Sequence, residues 1–349
     1  MATATKTETG LEGIAQALVA EGKGILAADE SDGTIKKRFD SIGVESTEDN
    51  RRAYRELLFT TEGVEEYISG VILYDETIRQ SASDGTPFPE LLASRGIIPG
   101  IKVDKGAKPL ANAPGETVTE GLDGLRERLA EYYELGARFT KWRAVLSIDE
   151  GSSLPSDYCM WTNAHALARY AALSQEAGLV PIVEPEVLME GDHTIEQSYH
   201  VTVRVLQALY TELFDQRVVR EGSLLKTNMV VSGYDCPEQA DVETVADETI
   251  RCLRNEVPAA VPGVVFLSGG MSDEDATARL NAMNQRGPHP WELSFSYGRA
   301  LQAPALKAWG GQEANVEDAQ KAFYRRAKFN GAARSGSYAP EWETQEATA

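Results

Sequence analysis

Leu179-Val180-Pro181-Ile182-Val183-Glu184-Pro185-Glu186-Val187 decides how this chain folds. Its first five residues are apolar on both faces of an extended strand. That is the pattern of a strand in a parallel sheet, covered by helices on one side and filled by side chains on the other. On its carboxyl side, after Asp192, the residues Ile195, Tyr199, Thr202, Leu206, Tyr210 and Leu213 step by three or four and draw one apolar stripe along a long helix. On its amino side Met160, Ala164, Leu167 and Ala171 do the same before Gly178, a candidate helix cap. Helix, strand and helix therefore follow one another.

The same unit recurs along the whole chain. Short apolar runs stand at Gly24–Asp29, Gly70–Asp75, Ile97–Asp104, Phe139–Leu146, Leu179–Val187, Ser223–Val230, Val264–Gly270 and Glu292–Gly298. Between them lie further helical patterns: Leu122, Leu125, Leu129 and Tyr132 before Gly136, a capping box at Ser272 and Asp275, and a second candidate box at Asn315 and Asp318, whose helix is expected to end before Gly331. Alternation of this kind implies parallel βαβ units. Eight candidate strands favour a closed (β/α)8 TIM barrel in a single domain over an open doubly wound sheet, which would carry a G-x-G-x-x-G turn after its first strand; none follows Asp29. The barrel is expected over residues 10–331, after a disordered residue 1–9 segment and before a polar, flexible tail over 332–349.

Lys and Arg number 34 against 54 Asp and Glu, a net charge of −20 that argues against a nucleic-acid or anionic-membrane surface. No run of eighteen apolar residues offers a membrane span, and residues 1–9 lack the apolar region of a secretory leader. Cys159, Cys236 and Cys252 are odd in number and widely spaced, which fits reduced thiols and a cytoplasmic location. His165, His193, His200 and His289 show no close ligand spacing, so no metal and no cofactor is expected.

In such barrels the chemistry sits at the carboxyl ends of the strands. Asp29, Lys102, Lys141, Glu184, Lys226, Ser268 and Arg299 stand at or just beyond those ends, each in apolar sequence such as Leu224-Leu225-Lys226. A lone lysine in a strand is ordinarily an edge or surface residue, but a closed barrel has no edges, so the set is expected to converge on one mouth. Lysines crowded into a desolvated pocket favour the neutral amine, a nucleophile toward carbonyls. Lys226 as nucleophile, Glu184 as acid and base, and Lys141 with Asp29 as electrostatic neighbours meet the needs of Schiff-base chemistry. A buried salt bridge is the alternative for Glu184. Ser268-Gly269-Gly270 ahead of a helix, with Tyr297-Gly298-Arg299 ahead of another, offers backbone amides and a guanidinium to a phosphate.

These strings resemble the class I fructose-bisphosphate aldolases. The likeness runs in order from Gly22-Lys23-Gly24-Ile25-Leu26-Ala27-Ala28-Asp29-Glu30-Ser31 through Gly100-Ile101-Lys102-Val103-Asp104-Lys105-Gly106, Lys141-Trp142-Arg143, Val180–Glu186, Leu224-Leu225-Lys226 and Phe266–Gly270 to Phe295–Leu301, and so spans about residues 10 to 331. The resemblance implies a Schiff base on Lys226, proton handling by Glu184, assistance at the C4 hydroxyl by Asp29, and charge balance from Lys141 and Glu186. It implies a C1-phosphate site at Ser268, Gly269, Gly298 and Arg299. Lys102, Ser31, Thr34 and Arg38 are then expected toward the C6 phosphate, with Arg143 a further candidate. It also implies a sugar-phosphate substrate and a homotetramer.

Two positions depart from the family's pattern. Thr227 follows Lys226 where the family usually has Pro, and the chain ends Ala347-Thr348-Ala349 where animal and plant members often end in a tyrosine. A Schiff-base aldolase of different sugar-phosphate preference, or a non-catalytic scaffold on the same barrel, are the competing readings.

Overall fold

The computed structural model of the chain describes residues 10–149, 151 and 153–345. Its barrel strands are β1 (Gly24–Ala28), β2 (Ile68–Leu73), β3 (Ile98–Lys102), β4 (Phe139–Leu146), β5 (Val180–Val187), β6 (Leu224–Thr227), β7 (Gly263–Phe266) and β8 (Glu292–Tyr297). Each pairs in parallel with the next, and β8 returns to β1 through the Ile25–Ser296 and Leu26–Tyr297 partners, closing the barrel. The fold is therefore the single-domain (β/α)8 barrel that the alternation implies.

Two apolar layers explain why the strands are apolar on both faces. Inside the barrel, Ile25, Ala27, Ile72, Phe139, Val180, Ile182, Leu224 and Val265 form one buried cluster, sealed at the amino end by Ala15, Leu18 and Val19 on and after the helix Leu11–Leu18. Outside it, a larger cluster joins the other strand faces to the surrounding helices. The ring of Phe139 fills the floor, and glycines in the neighbouring strands make room for it. A Cβ at Gly100 would lie 2.3 Å from that ring, and one at Gly70 3.1 Å from it.

Helix starts and stops follow local chemistry. Ser156, Thr194, Asp241 and Ser272 each accept the backbone N–H three residues on, satisfying one orphan donor of the first turn. The reciprocal capping box is made by Thr194 and Gln197. At Ser272 the hydroxyl accepts from the Asp275 amide as expected. Gly136 and Gly178 follow the ends of their helices with φ of 104° and 77°, the left-handed region that glycine tolerates.

Several expectations need correction. Strand ends are shorter than the apolar runs, because the last residues of Gly70–Asp75, Ile97–Asp104, Ser223–Val230 and Val264–Gly270 turn into the loops of the barrel mouth. An antiparallel ribbon of Ala107–Pro109 with Thr117–Thr119 lies between β3 and β4, where no such pair was expected. Asn315 makes no side-chain cap, and its helix, Val316–Arg334, runs past Gly331. Gly331 is there for close packing: a Cβ would lie 2.6 Å from the Tyr67 ring and 2.7 Å from the Gly22 carbonyl.

The expectation of a flexible tail from residue 332 is corrected too. Tyr338 is 5% exposed, its amide donates to the Asn281 side chain, and its hydroxyl donates to Glu343. Glu343 is paired in turn with Arg326, and Trp342 packs on Phe329 and Tyr338. Aromatic burial and a buried ion pair outweigh the polar composition of the segment. The expectation for residues 1–9 lies outside the described residues, as does the chain end at 346–349. No described helix is long and apolar enough to cross a membrane.

Gly100→Ala is expected to destabilise the protein by about 1–3 kcal/mol, the usual cost of overpacking a filled core. Gly33→Ala, where a Cβ meets nothing within 4 Å, is expected to be neutral or slightly stabilising. Urea denaturation of the two variants checks the contrast.

Candidate active site

The pleat sets the site. Alternate residues of a strand share a face, so Phe139, Lys141 and Arg143 climb the inside of β4 from floor to mouth. Val180, Ile182, Glu184 and Glu186 climb β5 in the same way. Leu224 and Lys226 do so on β6, and Ile25, Ala27 and Asp29 on β1. In every case the lower residues belong to the apolar interior and the charge comes last. Closure then brings neighbouring ladders together: Lys102 pairs in register with Lys141, and Arg143 with Glu184.

The result is a pocket of about 210 Å³ at the carboxyl end. Asp29, Lys141, Glu184, Glu186 and Lys226 line it, and so do Ser31, Thr34, Arg38, Lys102, Arg143, Ser268, Gly269, Gly298 and Arg299. The residues that the sequence reading assigns to catalysis and phosphate binding are thus brought to one place, although Gly270 and Tyr297 of the phosphate loops do not line it. A larger cleft, about 700 Å³, opens at the opposite end around Arg334 and Glu292, which are already paired with each other. It holds none of these residues.

At the pocket floor one carboxylate joins two lysines. Glu184 Oε1 lies 3.0 Å from Lys226 Nζ, and Oε2 lies 3.3 Å from Lys141 Nζ. Lys141 Nζ lies 2.6 Å from Asp29 Oδ2. All four side chains are largely buried. Burial opposes the charge on Asp29, but the fields of Lys141, Lys226 and Lys102 override it and hold the carboxyl far below its usual range. Glu184 is treated alike: burial raises its pKa, Lys141, Lys226 and Arg143 lower it, and the lysines and arginine prevail. Burial also opposes the charge on Lys141, yet Asp29, Glu184 and Asp104 raise its pKa well above the ordinary lysine value. For Lys141 this corrects the expectation that crowding favours the neutral amine: its ammonium is clasped by two carboxylates. Glu184 Oε2 has no hydrogen bond, because the Lys141 contact is an ion pair without the alignment of one.

The rim is cationic. Arg143 is paired with Glu186, and Lys102 lies 3.5 Å from Asp104. Arg299 opens the helix Arg299–Trp309, is exposed, and makes no ion pair among the described residues. The Ser268 hydroxyl accepts from the Ala300 amide at 3.4 Å, which couples the loop after β7 to the one after β8. The Ser31 and Thr34 hydroxyls lie 3.2 Å apart at the start of the helix Asp32–Asp40.

Sequence reading missed Glu30 and Ser296. Glu30, 8% exposed, is paired with both Arg38 and Arg55, and accepts from the Gln302 side chain at 2.9 Å. It sets the position of Arg38, whose guanidinium reaches the Gly298 turn. The signal was present in Asp29-Glu30, two adjacent acids directly after an apolar strand. Ser296 Oγ is buried without a hydrogen bond and lines the pocket. A hydroxyl between Phe295 and Tyr297 was its only trace.

Chemistry placed at the mouth of a (β/α)8 barrel, with a lysine–carboxylate cluster under a basic rim, defines a barrel enzyme. Comparison with known proteins narrows the class. The family model for fructose-bisphosphate aldolase class-I matches residues 10–349. A "Probable fructose-bisphosphate aldolase class 1" of Xylella fastidiosa is 61% identical over 325 residues, covering 93% of this chain and 97% of that one. "Fructose-bisphosphate aldolase 4, cytosolic" of Arabidopsis thaliana is 58% identical over 318 residues, covering 91% and 80%. The Plasmodium falciparum aldolase, solved in complex with TRAP and a small-molecule inhibitor, superimposes with a TM-score of 0.93 at 51% identity, covering 94% of this chain and 95% of that one. The chain belongs to the class I fructose-bisphosphate aldolase family. It is a carbon–carbon lyase.

The cluster makes stability depend on pH with a definite sign. Asp29 and Glu184 titrate lower in the folded chain than their ordinary 3.8 and 4.5. The unfolded chain therefore binds more protons as pH falls through those values, so stability is fully present above them and declines below. Asp29→Asn is expected to flatten that decline. Urea denaturation from about pH 3 to pH 6 measures the slope. An unchanged slope would mean that Asp29 is not held ionised by the lysines.

Proposed function

We propose that the chain reversibly cleaves fructose 1,6-bisphosphate to dihydroxyacetone phosphate and glyceraldehyde 3-phosphate, through a Schiff base on Lys226. The observation that carries the assignment to these residues is the Glu184 carboxylate, with one oxygen on Lys226 Nζ and the other a buried acceptor free of hydrogen bonds.

The Lys226 amine adds to the C2 carbonyl. Glu184 is in reach of the nitrogen to take its proton and to return one to the departing hydroxyl, so water leaves and an iminium forms. Asp29 takes the C4 hydroxyl proton, the C3–C4 pair flows into the iminium, and glyceraldehyde 3-phosphate departs. Protonation of the remaining enamine at C3, then hydrolysis, frees dihydroxyacetone phosphate and the lysine. Lys141 keeps its charge throughout and stabilises the anionic oxygens that develop beside it. Arg299, Ser268, Gly269 and Gly298 hold the C1 phosphate. Lys102, Ser31, Thr34, Arg38 and Arg143 serve the C6 end, and Glu186 holds Arg143.

The enamine proton comes from water or from Glu184. Tyr338 does not supply it, because its phenol is buried against Phe329 and donates to Glu343. A cytoplasmic location and a homotetramer are part of the same proposal. The three thiols are unpaired and buried, and a cytosolic Arabidopsis relative supports the location; the tetramer rests on the family resemblance.

Borohydride with dihydroxyacetone phosphate is expected to trap substrate on Lys226. Peptide mapping checks this, and label on Lys141 or Lys102 would falsify the assignment. Glu184→Gln is expected to lower kcat at least about a hundredfold, the usual scale for a positioned acid/base, while Arg299→Ala mainly raises KM for the bisphosphate. Normal turnover by Glu184→Gln would favour a purely structural salt bridge. Tyr338→Phe is expected to change cleavage and proton exchange into dihydroxyacetone phosphate only a few-fold. A loss of two or more orders of magnitude in exchange would make the phenol the donor. Turnover of fructose 1-phosphate beside the bisphosphate tests the competing substrate preference.

A further inference from the structure

Tyr234 lies on the loop after β6, outside the residues that line the pocket. It is 42% exposed. Its hydroxyl donates to the Gly269 carbonyl at 2.6 Å and sits 3.6 Å from Met189 Sδ. The segment that carries it is fastened to the loop after β5 by three backbone bonds. Gly233 N–H donates to His193 O (2.8 Å), Tyr234 N–H to Met189 O (3.0 Å) and Asp235 N–H to Gly191 O (2.9 Å).

The partner of this hydroxyl belongs to a diglycine turn in the pocket wall. Gly269-Gly270 has no side chain to hold it, and Gly270 takes φ +76°. A Cβ at Gly270 would fall 1.6 Å from Tyr234 Oη, so the ring occupies the space above the turn. The amides of Gly269 and Gly270 donate to no group among the described residues. In a trans peptide the Gly269 carbonyl and the Gly270 N–H point in opposite directions, so fixing one fixes the other.

We propose that Tyr234 is a positioning residue for the phosphate-binding turn, holding Gly269-Gly270 in its binding conformation through the Gly269 carbonyl. This rests on the reading of Ser268, Gly269, Gly298 and Arg299 as the C1-phosphate site. A diglycine turn left free would have to be ordered each time phosphate binds, and holding it beforehand removes that cost from binding. The hydroxyl bonds Gly269 and approaches Met189, not Lys226 or Glu184, so its effect is on phosphate and not on carbonyl chemistry.

The test compares the half-saturating concentrations of dihydroxyacetone phosphate and of unphosphorylated dihydroxyacetone for borohydride trapping, in the wild type, Tyr234→Phe and Arg299→Ala. Phe keeps the ring over Gly270 and removes only the hydroxyl. Loss of one hydrogen bond predicts about a three- to tenfold rise for dihydroxyacetone phosphate in Tyr234→Phe, with dihydroxyacetone and the melting temperature unmoved. A rise shared equally by both ketones would reveal a general structural effect and overturn the proposal. If Arg299→Ala weakens the phosphorylated ketone while Tyr234→Phe does not, the positioning role fails alone. If neither variant does, the phosphate reading has failed, and the proposal with it.

Discussion

Glu184 stands between Lys226 and Lys141, and Lys141 stands between Glu184 and Asp29. This chain of contacts crosses the mouth through β1, β4, β5 and β6, and the rest of the structure can be understood as what makes it tolerable. Buried charges are costly, and an ion pair recovers that cost only when each group has its partner in good geometry. The closed parallel ladder supplies that geometry without any loop having to find it, since consecutive strands carry the three residues on one interior face. Below them, Phe139, Val180, Ile182 and Leu224 are packed apolar residues, and the helix Leu11–Leu18 closes the end. A floor of this kind leaves the charged groups no alternative partners beneath them. Their partners lie beside them and toward the mouth, among Lys102, Asp104 and Arg143 as well as one another.

This arrangement also explains what was legible in the sequence. The barrel could be read because each strand is short, apolar on both faces and followed by a polar residue at one end, and because helices with a single stripe stand between. The lining of the pocket could be read for the same reason: Lys226 after Leu224-Leu225 and Glu184 after Ile182-Val183 are charges where apolar packing is otherwise continuous. What stayed hidden depends on tertiary partners. Glu30 matters through Arg55, which comes from the helix Glu48–Phe59, and Gln302, which comes from the helix after β8. Neither is near it in sequence. Tyr234 acts through a carbonyl 35 residues away, and no side-chain pattern marks a carbonyl. Gly331 looked like a stop because glycine so often ends helices, whereas here it admits Tyr67 to the helix face. The charge state of Lys141 failed for a related reason. Crowding of lysines is visible in sequence, but the carboxylate that answers it is located only by the fold.

Charge is distributed against the average of the molecule. The chain carries a net −20, yet the pocket holds six basic side chains, Arg38, Lys102, Lys141, Arg143, Lys226 and Arg299, against four acids, Asp29, Glu30, Glu184 and Glu186. A doubly phosphorylated substrate approaching an acidic surface is repelled everywhere except where these side chains focus an opposite field. The acids within the pocket each have a specific basic partner: Asp29 and Glu184 hold Lys141, Glu30 holds Arg38, and Glu186 holds Arg143. They fix where the positive charge sits, and at the rim Arg299 remains unpaired among the described residues. The same division suits the proposed chemistry. Because Asp29 also satisfies Lys141, Glu184 can gain and lose a proton beside Lys226 without leaving a buried ammonium uncompensated. In the proposed mechanism, the second carboxylate on Lys141 thus lets the first one act as acid and base.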